Sequence, residues 1–186
     1  DYFLRPLVSI TPTYLKDTKH VLNLINKINE EQDTNVLLTI DVEALYTSIS
    51  QEATHKVIES AMHKSNWSSL TPMHFVMDCA TIALTENYFR YEDHLYLQTK
   101  GTSTGSTFAP GLACLYMSHF EEEYILSNAN PYSRDIGLWK RYIDDILIVW
   151  NAKAEEFQQW VNTLDPYLSF TKHILTTELP VLDIFI

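Results

Sequence analysis

Residues 141–150 read RYIDDILIVW. Tyr142, Ile143, Ile146, Leu147, Ile148, Val149 and Trp150 are residue types of a buried strand. Asp144 and Asp145 stand side by side among them. Two adjacent carboxylates buried without partners would be costly. Two strands and a turn resolve the conflict. Arg141 and Tyr142 arrive, Ile146–Trp150 leave, and the acids occupy the bend, where Asp is favoured.

Upstream, VLLTID at 36–41 is a short apolar run of strand type ending on Asp41. NYFRYEDHLYLQT at 87–99 predicts a hairpin turning near Glu92 and Asp93. Strands are also expected at 168–175 and 179–186. Between them lie helical patterns. Val21, Leu24, Ile25 and Ile28 form a stripe within 14–30. Ser50 is placed to cap a helix running to about Lys64, with Val57, Ile58, Ala61 and Met62 inward. Thr71-Pro72 starts another helix, with Phe75, Val76, Cys79, Ile82, Ala83 and Glu86 on one face. Pro110 lies near the start of a helix carrying Leu112, Ala113, Tyr116, Met117, Phe120 and Tyr124. Phe157, Trp160, Val161 and Leu164 mark the last. This order predicts an α+β fold, an antiparallel sheet with helices packed on one face. The other side of such a sheet can stay open to a ligand.

If the strand ending at Asp41 neighbours the Asp144–Asp145 hairpin, three carboxylates meet on one edge. They stay ionised together only beside a cation or strong donors. Oxygen ligands select a hard ion, Mg²⁺ or Mn²⁺. Two such ions about 3.5–4 Å apart would hold the attacking and leaving oxygens of a phosphoryl transfer. The plain alternative is three acids ending strands and filling turns.

The 186 residues suit one good-sized domain, and 46% hydrophobic content supplies a core. A formal charge of −11 argues against a broad nucleic-acid-binding surface but not against a metal-dependent site. Cys79 and Cys114 have no metal-type spacing and read as reduced core residues of an intracellular protein. No run of 18 or more apolar residues occurs, so no membrane partner is expected. An opening Asp and a closing VLDIFI read as a piece of a longer protein.

RYIDDILIVW resembles the Tyr-x-Asp-Asp hairpin of reverse transcriptases. LLTIDVEALYTSI (37–49) resembles their first carboxylate motif in the form used by Penelope-like retroelements. GTSTGSTFAPGLACLYM (101–117) resembles that family's Gly-Thr-x-Met-Gly-Ser motif and following helix. LRPLVSITPTYL (4–15), NYFRYEDHLYLQ and LSFTKHILTTELPVLDIFI (168–186) also resemble family segments, in the family's order. The resemblance implies a right-hand polymerase fragment, with partial fingers over about 1–35 and a palm with finger insertions over about 36–186. The implied reaction is RNA-directed DNA synthesis, joining a dNTP to a primer 3′-hydroxyl with two Mg²⁺ or Mn²⁺ ions. RNA template, DNA primer and dNTP are the implied partners. A thumb and, in many members, a nuclease domain would lie outside these residues, and a nuclear location is the matching expectation.

The resemblance also implies residue roles. Asp41, Asp144 and Asp145 match the metal-binding triad, and the Val42 carbonyl a further metal contact. Ala44 and Leu45 match positions whose backbone amides meet the triphosphate. Tyr46 matches the aromatic under the sugar that excludes a 2′-hydroxyl. Arg5 matches a finger arginine on the triphosphate. Tyr142 packs near the primer end. Gly101 and Ser106 would admit primer or template, while Thr104 and Gly105 border the nucleotide; glycine permits such close approach. Lys172 is offered as the lysine that protonates departing pyrophosphate, against a plain solvated strand lysine. Two positions depart from the pattern: Thr104 stands where the family usually has Met, and Ser50 where it commonly has Pro.

Two other readings compete. A decayed, non-catalytic palm could bind nucleic acid or a partner. A serine hydrolase would use Gly101-Thr102-Ser103-Thr104-Gly105 as G-x-S-x-G, followed by Asp144 and His173. That reading demands a helix directly after Ser103 and a parallel sheet.

Overall fold

A computed structural model describes residues 2–30, 36–65, 67, 71–150, 154–174, 180–182, 184 and 185. The strands are β1 (Val36–Val42), β2 (Tyr88–Tyr91), β3 (His94–Leu97), β4 (Ile136–Tyr142), β5 (Asp145–Trp150), β6 (Phe170–Ile174), β7 (Pro180–Val181) and β8 (Ile184–Phe185). The helices are α1 (Arg5–Val8), α2 (Thr18–Glu30), α3 (Leu45–Ser48), α4 (Gln51–Lys64), α5 (Met73–Thr85), α6 (Ala109–Phe120) and α7 (Ala154–Val161). A π-helical turn, Glu121–Ile125, continues α6.

The chain forms two compact units interleaved in sequence: residues up to Thr11 with Ala44–His119, and Pro12–Glu43 with Phe120 onward. The second unit holds the main sheet, in the order β4-β5-β1-β6. All its pairings are antiparallel. Residues 13–15 extend the β4 edge through a parallel bridge between Tyr14 and Arg141. The expected α+β class and antiparallel sheet are present.

Helices pack against this sheet as expected, and its central strand is covered on both faces. Every residue from Ile146 to Trp150 is buried, so β5 needs cover on both faces. Successive strand side chains alternate sides. Leu147 packs with Leu15, Val181 and the α2 residues Val21 and Ile25. On the other side, the Trp150 ring lies 4.6 Å from Phe157 of α7.

In the first unit, Ser50 caps α4 as its side chain predicts, its Oγ accepting from the Ala53 N–H at 3.2 Å. Val57, Ile58 and Met62 are buried beneath it. The β2–β3 hairpin turns at Glu92 and Asp93, with Glu92 at a positive φ of 52°. Helix α5 departs from its expected face. Its buried stripe is Val76, Ala80 and Leu84, while Phe75, Ile82 and Cys79 are exposed. This helix is apolar nearly all round, so periodicity could not select the inward side. Cys79 is therefore no core residue; Cys114 is buried and free as expected.

The strand expected at 179–186 is instead the short β7–β8 hairpin, bent at Leu182, whose φ is 54°. The end of the strand expected at 168–175 lies outside the described residues. No helix among the described residues is long and apolar enough to cross a membrane.

Candidate active site

The register of the sheet assembles the acids. Asp41 is the direct cross-strand partner of Asp145, so their side chains share one face. The pairing continues outward on both sides, giving a row Tyr142–Asp145–Asp41–Thr171 across four strands. Asp144 sits in the β4–β5 turn, and its carbonyl accepts from the Val42 N–H at 3.3 Å. All three acids are half-buried. The Thr171 hydroxyl donates to the Asp41 carbonyl at 3.4 Å.

The turn is tight. Tyr142 pairs with Asp145, leaving Ile143 and Asp144 as its two loop residues. Ile143 has φ 55°. Two-residue hairpins favour positive φ at the first loop position because this matches the strands' twist. A β-branched residue there is strained, at roughly 1–3 kcal/mol.

A buried network braces this turn from below. Glu121, at the start of the π-helical turn, is fully buried. Its Oε1 accepts from Arg141 Nε at 2.6 Å and from Trp139 Nε1 at 2.9 Å. Its Oε2 accepts from Arg141 Nη2 at 3.2 Å and from the Thr13 hydroxyl. Arg141 Nη1 donates to the Ile143 carbonyl at 2.9 Å. The sequence reading missed this pair. One signal was available: Glu121 follows Met117 by four positions and Cys114 by seven, which sets an acid on an apolar helix face.

The other expected site residues, Lys172 apart, lie in the first unit. Ala44 is exposed at φ 48°, Leu45 is buried and Tyr46 is half-buried. Arg5, Thr104 and Gly105 are exposed, and Ser106 is half-buried. Gly101 has a packing part. It is buried at φ 64°, and an added Cβ would lie 2.3 Å from the Tyr46 carbonyl oxygen. The Thr102 N–H donates to that same oxygen at 2.7 Å. Gln51 Nε2 donates to the Gly101 carbonyl at 2.9 Å. Its missing side chain thus makes room for the Tyr46–Thr47 backbone. At Gly105 a Cβ would meet only Ser103 Oγ, at 3.9 Å. In the second unit Lys172 pairs through its backbone with Ile40; its side chain lies outside the described set.

The donor set suits a hard cation, being all oxygen. Among the described residues no three His, Cys, Asp or Glu side chains already close on one metal position. What fits is the facing pair, Asp41 and Asp145, with the adjacent turn acid. Among the described residues the hydrolase arrangement is absent: the helix after Ser103 begins only at Ala109, and the main sheet is antiparallel.

An antiparallel sheet with a central carboxylate hairpin facing a third acid is the palm of a right-hand polymerase. Residues 4–178 match the family described as reverse transcriptase (RNA-dependent DNA polymerase), and the chain belongs to it. Among solved structures of similar fold is apo telomerase from Candida tropicalis truncated from its C-terminal domain. It is 14% identical at TM-score 0.69, over 100% of this chain and 42% of that one. Telomerase from Candida albicans in complex with a TWJ fragment of telomeric RNA is 12% identical at TM-score 0.75, over 98% and 36%. The chain therefore spans less than half of either telomerase. No curated protein sequence matches it.

Proposed function

We propose that this chain is the catalytic core of the RNA-directed DNA polymerase of a Penelope-like retroelement. It joins dNTPs to a DNA primer on an RNA template. The observation that carries this reading is Asp41 in register with Asp145, with Asp144 in the adjoining turn. Asp41 and Asp144, with Asp145 and the Val42 carbonyl, would hold two Mg²⁺ or Mn²⁺ ions. When bound, such ions supply positive charge to the attacking and leaving oxygens of phosphoryl transfer.

The chain's own residues position the reactants. The strained turn fixes two carboxylates at the end of a rigid hairpin. The family resemblance supports two further roles: Arg5 would offer a planar fork to the triphosphate, and Tyr46 would exclude a 2′-hydroxyl. Support for the retroelement assignment is the resemblance of 37–49 and 101–117, in order, to that family's motifs.

Primer extension on an RNA template with Mg²⁺ or Mn²⁺ tests the reading, with Asp144→Asn alongside. The native protein should extend the primer and the variant should not. Equal extension by both would refute the triad, and extension by neither would refute the activity. Extension from a nick in duplex DNA tests the retroelement assignment. A protein that used only free single-stranded ends would count against it.

A further inference from the structure

We propose that Glu121 and Arg141 are positioning residues that hold the Ile143–Asp144 peptide and, through it, the turn carboxylates. This rests on the polymerase reading above. Both side chains are almost wholly withdrawn from water. Stability alone does not account for them, since an apolar pair of similar volume is often as stable as a buried ion pair. An apolar pair cannot donate to the Ile143 carbonyl, and Arg141 Nη1 does so at 2.9 Å.

The geometry is directional. Arg141 pairs with Ile146 in the sheet, so its side chain leaves the face opposite Tyr142 and Asp145. The guanidinium then spans two tasks: Nε and Nη2 clasp the Glu121 carboxylate while Nη1 reaches past the strand end to the turn. Glu121 is itself held by Trp139 Nε1 and the Thr13 hydroxyl. The Arg141 backbone is pinned on its outer side: its N–H donates to the Thr13 carbonyl and its carbonyl accepts from the Leu15 N–H, both at 2.8 Å. A left-handed Ile143 persists only where its surroundings over-determine it. This network supplies that determination. Glu121 also opens the π-helical turn, and such insertions recur at functional sites.

The test replaces both charges, Glu121→Met with Arg141→Met, in the full-length protein. The swap keeps volume and strands no lone charge, but it leaves the buried Trp139 Nε1 and Thr13 hydroxyl without their acceptor. Each unpaired donor is destabilising, so the thermal midpoint should fall, and the following quantities are read well below it. Backbone amide exchange at residues 143–145 should quicken by at least about tenfold while residues 146–150 stay protected. The kcat for primer extension should fall by at least about tenfold with the dNTP KM within about twofold. Unchanged exchange at the turn, or retained kcat in the folded double variant, would overturn the proposal. Should the double variant not fold, Arg141→Lys reads the same quantities. It keeps a charge beside Glu121 but loses the planar fork, and native exchange and kcat there would equally refute the idea. If the native protein extends no primer, the polymerase reading fails and amide exchange alone decides the positioning claim.

Discussion

Gly101→Ala adds one methyl group at a residue whose φ is 64°. The new Cβ would stand 2.3 Å from the Tyr46 carbonyl oxygen, 2.5 Å from Thr47 Cα and 2.6 Å from the Thr47 carbonyl carbon. All three are backbone atoms, so no side-chain rotation relieves the overlap. The Thr102-to-Tyr46 hydrogen bond of 2.7 Å holds the two segments together. A left-handed conformation costs an L-residue roughly 1–2 kcal/mol. Forcing a methyl into a packed site costs roughly 1–3 kcal/mol. With a combined loss near 3 kcal/mol, the unfolding midpoint of a chain this size should fall by about 6–12 °C. Gly105→Ala is the internal control. Its Cβ meets only Ser103 Oγ at 3.9 Å, so its stability should stay within about 0.5 kcal/mol of native. Circular dichroism melts of the two variants and the native protein read the difference. A Gly101→Ala protein that melts like the native one but no longer extends a primer would refute the packing argument. It would return this glycine to the nucleic-acid role that the sequence resemblance implies.

Two further outcomes follow from the same unit. Tyr46→Ala should raise ribonucleotide incorporation relative to dNTP by roughly tenfold or more; unchanged sugar selectivity in a steady-state competition assay would count against the gate. Ser50→Ala removes the acceptor of the Ala53 N–H at 3.2 Å. That costs about 1 kcal/mol and should lower the midpoint by about 2–4 °C, as read by calorimetry; an unshifted midpoint would show that the cap contributes nothing.

Short-range chemistry was legible wherever a few neighbouring residues decide the outcome. Ser50 is a cap because its hydroxyl reaches an amide three residues on. That hydrogen bond gives Ser50 a structural purpose at a position where the family commonly has Pro. The 88–97 hairpin turns where Glu92 and Asp93 interrupt an apolar alternation. The α2 stripe was readable because its polar face is strongly polar, and Val21 and Ile25 are buried as expected. Legibility failed on α5, whose apolar residues surround the helix, so that its neighbours alone select Val76, Ala80 and Leu84. It failed again at 179–186, where a left-handed Leu182 bends a segment that reads as one strand. Gly101 and Gly105 look alike in sequence, and only the Tyr46–Thr47 backbone beside one of them separates their parts.

Turn and strand preferences in the sequence act over a handful of residues, so they alone place Asp41 within one residue of a strand end and Asp144 at the bend of a hairpin. The register that sets Asp41 opposite Asp145 was decided only in the tertiary structure. It pairs segments about a hundred residues apart, and a slip of one position would turn either acid to the other face. The same holds for Glu121 and Arg141. Each is an ordinary charged residue in its own segment, and burial converts the two into a clamp on the Ile143 carbonyl.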